Sequence, residues 1–159
     1  MEILMRAMIF ILGLCFGSFV NMLVYRLAIN YKLESRKLKV KSKNRSFCDY
    51  CGKQLKWYEN IPVVSWIIQK GQTRCCDKTL SVLYPIVEAA MGFLFLVYFL
   101  VGAYGNTPLQ FGLGLLMIVF LVFSGVFDVK YMILPDVSTV TLVFSALVLW
   151  FLGHFGDWT

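Results

Sequence analysis

Charge is scarce in this chain. Of its 159 residues only 15% are charged, whereas 59% are hydrophobic and 16% aromatic, and the mean hydropathy is +0.73. Soluble domains carry roughly a quarter charged residues, so the shortage excludes an ordinary soluble fold and points to an integral membrane protein. Basic residues are nearly missing outside one region: of fifteen Lys and Arg, only Arg6 and Lys130 fall outside Arg26 to Lys78. A net charge of +6 gathered in this way is the positive-inside pattern of a cytoplasmic loop, and it argues against a nucleic-acid-binding face. A small-residue cleavage site is missing before the basic loop, and the first apolar run is too long for a signal peptide, so it reads as a retained span. No internal repeat or low-complexity tract is visible. The one histidine, His154, falls near the outer end of the last apolar run and reads as interfacial.

What is present is a set of apolar runs long enough to cross a hydrocarbon core of about 30 Å. The first span covers residues 3–27, with Arg6 snorkelling at its outer end. A basic loop follows over 28–79: a Lys-rich linker up to Arg45, then a small folded lobe over 46–79 that needs a staple for lack of core. Residues 80–159 form a three-span membrane portion, its spans running Leu80 to Tyr104, Leu109 to Phe127 and Val137 to Phe155. The expected fold is an all-α polytopic membrane protein with about four transmembrane helices and a cysteine-rich cytoplasmic lobe between the first and second. A cytoplasmic loop places the N-terminus outside and returns the segment 127–136 to the cytoplasmic side, on the same face as the lobe.

Three features carry possible chemistry. Asp128 and Asp136 sit between two apolar runs, where an acid is a functional-site candidate; the plainer reading is a polar turn with Asp136 capping the next helix. Cys48-x-x-Cys51 followed by Cys75-Cys76 reads as two knuckles of a zinc site, with Cys76 the surer second-knuckle ligand and Cys75 a fourth. Free thiols and a disulfide are the competing readings, the latter disfavoured in a reducing compartment. Cys15, alone in an apolar helix, reads as a packed small hydrophobe. Asn21 and Glu88 lie inside spans; Asn21 must face other helices or a cavity, and Glu88 is expected to be neutral or paired, with structural pairing to loop cations and direct chemistry equally open.

Several of these stretches, in order, resemble the bacterial type IV prepilin peptidases. Gly17-Ser18-Phe19-Val20-Asn21 with Tyr25-Arg26-Leu27 is similar to that family's N-terminal signature, and Arg45-Ser46-x-Cys48-x-x-Cys51 to the start of its cysteine lobe. Asn60-Ile61-Pro62-Val63-Val64-Ser65-Trp66 and Tyr84-Pro85-Ile86-Val87-Glu88 continue the likeness, and Asp128 with Leu134-Pro135-Asp136 resembles the first catalytic-aspartate segment. The resemblance runs from about Gly13 to Asp136. It implies an aspartic endopeptidase of the bacterial cytoplasmic membrane that removes the leader of prepilins or pseudopilins serving pilus, type II secretion or competence systems. It further implies methylation of the new N-terminus from S-adenosylmethionine, a zinc-binding lobe, and Asp128 as the first of two catalytic aspartates. Glu34 and Glu59 are loose candidates for the methyl-donor site.

The chain also departs from that pattern. The family's second aspartate lies in a Gly-x-Gly-Asp, absent here: Gly112-Leu113-Gly114-Leu115 lacks the acid, and Gly156-Asp157 lacks the first glycine. An N-terminal portion or a shortened member is therefore expected. The family's second Cys-x-x-Cys falls on Thr73 and Cys76, with Cys75 as the substitute ligand, and Ala28 replaces a proline. The alternative function is a non-catalytic membrane subunit that keeps the zinc lobe and binds pilins or their machinery.

Overall fold

In the computed structural model, residues 1–31, 46–48, 50–102, 107–133 and 135–155 are described, side chains excepted at 137 and 151–155. The Lys-rich linker, Glu34 and the side chain of His154 lie outside the described residues.

Among the described residues five helices form: α1 (Glu2–Asn30), α2 (Val64–Ile68), α3 (Leu83–Gly102), α4 (Pro108–Tyr131) and α5 (Asp136–Phe155), with a 3₁₀ turn at Trp57–Asn60. Three of them, α1, α3 and α4, are long and apolar enough to cross a membrane, and α5 contributes a shorter apolar stretch, Ser138–Trp150. No strand forms among the described residues, only two isolated antiparallel bridges in the lobe. The expected all-α class is the one observed, with three spanning helices, a shorter apolar fourth and a cysteine cluster between the first and second.

The bundle is held by small residues on one side and large ones on the other. A side chain built on Gly13 would come within 2.7 Å of the Gly92 Cα, and one on Gly17 within 2.6 Å of the Glu88 Cα. Four residues forward along α1 is thus four residues back along α3, the signature of an antiparallel pair in close backbone contact. Without apolar solvent exclusion between helices, such close packing is a main source of attraction in a bilayer. Arg6 pairs with Glu2 one turn away, 3.1 Å apart on the exposed surface.

Val20, Val24, Ala28, Val87, Met91, Phe95, Val119, Phe123 and Phe127 make the buried core where α1, α3 and α4 meet. Helix α4 begins with a full capping box, Thr107 and Gln110 each accepting the other's backbone N–H, and Pro108 occupies the first turn, where its missing N–H costs nothing. It stops at Met132, whose left-handed backbone (φ 57°) turns its N–H onto the Asp128 carbonyl at 2.7 Å. About two turns before the stop, the buried hydroxyl of Ser124 meets that of Ser138 at 2.6 Å, and the Ser138 hydroxyl donates to the Pro135 carbonyl. This chain of bonds ties α5 to α4 across an otherwise apolar seam.

Candidate functional site

The lobe is built from two loops of nearly the same design. In the first, Cys48 N–H donates to the Lys53 carbonyl and Gly52 N–H returns to the Cys48 carbonyl, with Phe47 bridged to Gln54. In the second, Thr73 N–H donates to the Lys78 carbonyl and Asp77 N–H returns to the Thr73 carbonyl, with Gln72 bridged to Thr79. The residue closing each loop takes a left-handed backbone, Gly52 at φ 70° and Asp77 at φ 52°, a conformation that glycine adopts freely and aspartate tolerates. This internal repeat escaped the sequence reading. Its trace is the shared pattern Cys51-Gly52-Lys53 and Cys76-Asp77-Lys78.

In this correspondence Thr73 takes the place of Cys48, so the second loop has lost a thiol at its base. Cys75 makes up for it. All four sulfurs, of Cys48, Cys51, Cys75 and Cys76, lie within 4.8 Å of one another and could hold a metal ion. Cys48 and Cys76 are 3.8 Å apart, Cys51 and Cys75 3.2 Å, and Cys75 and Cys76 3.9 Å. Thr73 keeps a supporting part: its hydroxyl accepts the Lys78 N–H at 3.0 Å and lies 3.1 Å from the Cys76 sulfur. A neighbour of this kind orients a ligand from behind. Tyr50 reaches across from the first loop to the Thr79 carbonyl at 2.9 Å, latching the two together.

The thiols are not equivalent. Burial pushes the Cys48 and Cys75 thiols up, whereas the Lys53 N–H and the neighbouring Cys75 hold Cys51 down at about 7. A bound cation would override these differences, because coordination deprotonates a thiol outright.

Helices α1 and α3 meet the lobe through Glu88. Its carboxylate, 8% exposed, accepts the Val63 N–H at 2.6 Å. Val63 is a β-branched residue at φ 60°, a rare and strained backbone state for its type. Ser18 and Asn21 lie alongside the carboxylate, and the Asn21 side chain donates to the Tyr84 carbonyl at 3.1 Å. The pairing partner of Glu88 is therefore a backbone amide, not a loop cation as the sequence suggested. Asn21 does face another helix.

Between lobe and helices lies a cavity of about 420 Å³, with Ser18, Asn21, Tyr25, Trp66, Tyr84 and Glu88 in its wall. Its size is within the range of small-ligand sites. Cys15, expected as a packed hydrophobe, is exposed and lines the same space. Glu59 also borders it, but its carboxylate is engaged by the Lys56 N–H at 2.7 Å as a cap of the 3₁₀ turn. The sequence reading missed the cavity because its wall comes from three separated stretches.

Asp128 is exposed in the last turn of α4. Its neighbour Phe127 stacks edge-on against Tyr31, just past the end of α1, with ring centres 6.4 Å apart. The end of α4 thus reaches the end of α1 from which the lobe-bearing loop departs. Asp136 is the first residue of α5 and not the residue before it, so it acts on the helix from within its first turn, where a negative charge complements the helix dipole. No second carboxylate joins Asp128 in a cluster with a third metal-ligating residue among the described residues.

Comparison with known proteins gives this geometry a context. Residues 11–101 match the family model described as "Bacterial Peptidase A24 N-terminal domain". The chain is 35% identical over 141 residues to a prepilin leader peptidase/N-methyltransferase of Klebsiella pneumoniae, covering 88% of this chain and 59% of that protein. It is 33% identical over 149 residues to the protein of the same name from Vibrio cholerae serotype O1, covering 93% and 57%. A Myxococcus xanthus protein of that name is 39% identical over 92 residues, 58% of this chain and 25% of its own. The chain therefore spans somewhat over half the length of the first two relatives. No solved structure matches it.

Proposed function

This chain belongs to the family of the Bacterial Peptidase A24 N-terminal domain, and on that premise we propose that it works in removing leader peptides from type IV prepilins or pseudopilins. The reaction is aspartic endopeptidase hydrolysis at the cytoplasmic face of the bacterial inner membrane, with the lobe and Asp128 on that face and the N-terminus outside. N-methylation of the new N-terminus from S-adenosylmethionine is the accompanying activity. The observation that carries the reading is the family match together with the position of Asp128, at the end of the bundle where the α1 terminus and Phe127 meet.

Asp128 is exposed, so water reaches it. In an aspartic mechanism one carboxylate takes a proton from the attacking water while a second, protonated one donates to the scissile carbonyl; two acids in proximity separate their proton affinities for this purpose. Asp128 supplies one member of the pair. Its placement is itself informative: a negative charge in the last turn of a helix opposes the helix dipole. Asp128 therefore does not stabilise α4 through the helix dipole.

The four-cysteine site is read as structural zinc. Sulfurs held tetrahedrally at about 2.3 Å from zinc are about 3.8 Å from one another; three of the pairs are 3.2 to 3.9 Å apart and all four sulfurs lie within 4.8 Å of one another. Zinc would cross-link the two loops of the lobe; no step of peptide hydrolysis runs through it.

The experiment is complementation of a strain lacking its prepilin peptidase, with leader removal read as a mobility shift of the pilin. The chain in its natural reading frame restores processing, Asp128→Asn abolishes it without lowering thermal stability, and Asp136→Asn retains it. Processing that survives Asp128→Asn overturns the catalytic assignment. Wild type that binds pilin without processing it supports the non-catalytic subunit instead.

A further inference from the structure

Helix α2 is oriented unlike a helix of a soluble lobe. Ser65, Trp66 and Gln69 turn toward the cavity, while Val64, Ile67 and Ile68, at i, i+3 and i+4, form an apolar stripe on the opposite, outward side. Ile67 and Ile68 are 61% and 62% exposed, and Ile61, one turn earlier, extends the same stripe. Such a stripe normally faces a core. Here nothing among the described residues covers it.

Its depth says what does. The Val63 N–H bond to Glu88 fixes the start of α2 against α3, five residues past Leu83 and so roughly 7.5 Å along the axis from where that helix begins. Helix α3 has 20 residues, about the thickness of the hydrocarbon layer. Glu88 therefore lies below the headgroup boundary, and α2 is held at that level. Val82 and Leu83 at the start of α3, and Ile86 two residues before Glu88, are exposed as well, so apolar surface brackets this level on the outward side of the span. Trp57, 80% exposed on the preceding 3₁₀ turn, is of the residue type that settles at the interface. Lys56, Lys70 and Arg74 are exposed on the same lobe, Lys56 and Arg74 over the Tyr58 ring next to Trp57, and their charge matches that of an anionic leaflet.

We infer that the Trp57–Ile68 face of the lobe is seated in the bilayer itself, as an interfacial wedge whose apolar stripe lies among acyl chains and whose basic rim lies among anionic headgroups. The lobe is then a half-immersed part of the membrane domain. A polypeptide entering the cavity arrives along the leaflet, not from open solvent.

The test is photolabelling of the intact chain in vesicles of phosphatidylethanolamine and phosphatidylglycerol doped with a phospholipid carrying an acyl-chain diazirine, with adducts located by mass spectrometry. Ile67, Ile68 and Trp57 should label at a level comparable to Phe93 and Val97 on the exposed side of α3, while Gln72 and Lys78 stay unlabelled. Absence of label on the lobe while Phe93 and Val97 react overturns the proposal, whether solvent, a second copy or another protein covers the face. The double substitution Ile67→Asp/Ile68→Asp should cut the Trp57 label severalfold and leave that of Phe93; an unchanged Trp57 label also overturns it. Vesicles of phosphatidylcholine alone should lower the ratio of lobe to Phe93 label, and an unchanged ratio removes the role given to the basic rim.

Discussion

A buried carboxylate normally finds a cation, and Glu88 instead accepts a backbone amide, with Ser18 and Asn21 beside it. What it gains is position. The bond stabilises Val63 in a backbone state that its branched side chain disfavours, and so sets where α2 leaves the chain. Replacing the carboxylate by a carboxamide keeps an acceptor oxygen within reach, whereas alanine leaves the amide unsatisfied at a cost of about 1–3 kcal/mol. Glu88→Ala should therefore lower the melting temperature in detergent and expose the lobe to limited proteolysis, and Glu88→Gln should do neither. Equal loss in both variants would show that the charge, not the hydrogen bond, is what matters. Glu88 was visible in the sequence as an anomaly inside a span, but its partner was not. An amide carries no residue-type signal, and Val63 lies 25 positions away.

At the level of elements, α1 and α3 depend on glycine because any side chain at the crossing would meet backbone. Gly17→Ala must push α3 away, with loss of about 1–3 kcal/mol from overpacking. Gly125→Ala makes a fair control, since a Cβ there meets nothing within 4 Å. Thermal unfolding of both variants in the same detergent checks the contrast; similar stability would argue that α1 and α3 are not closely paired. The helices themselves were legible because apolar runs of this length have few alternatives. Their ends were less so: α1 continues to Asn30 and α4 to Tyr131, beyond the apolar runs that ended at Leu27 and Phe127. Polarity marks where a span leaves lipid, while a helix ends where its hydrogen bonds end, as at Met132. In the lobe, the cysteines were legible as ligands by type and spacing. Cys75, expected from the sequence as the fourth member, joins the cluster, and the loop geometry that brings it there was not legible.

For the molecule as a whole, the lobe has little core of its own. Cys48 is its one buried hydrophobic residue among those described, too little to order a segment of this size without a staple. Metal and fold should then be coupled. The purified chain is expected to carry about one zinc, as four thiolates close one site, and Cys48→Ser should lower the metal content and open the lobe to protease while α1, α3 and α4 keep their helical signal. A chain that is metal-free yet protease-resistant would overturn the structural-zinc reading. The candidate site as a whole was only half legible. Asp128 and the cysteines could be named by residue type, but the cavity and the seat of α2 arise where α1, α3 and the lobe meet, and no local pattern encodes a junction.

The unequal exposure of the four candidate ligand sulfurs would have a kinetic consequence for a bound metal ion. The four-sulfur cluster is lopsided, with Cys48 sealed inside and Cys51 open to water. Exchange would then be directional. An incoming chelator or competing ion would displace Cys51 first and Cys48 last, so that release of the metal would proceed as an unzipping from one rim, at a rate governed by the weakest corner of the site.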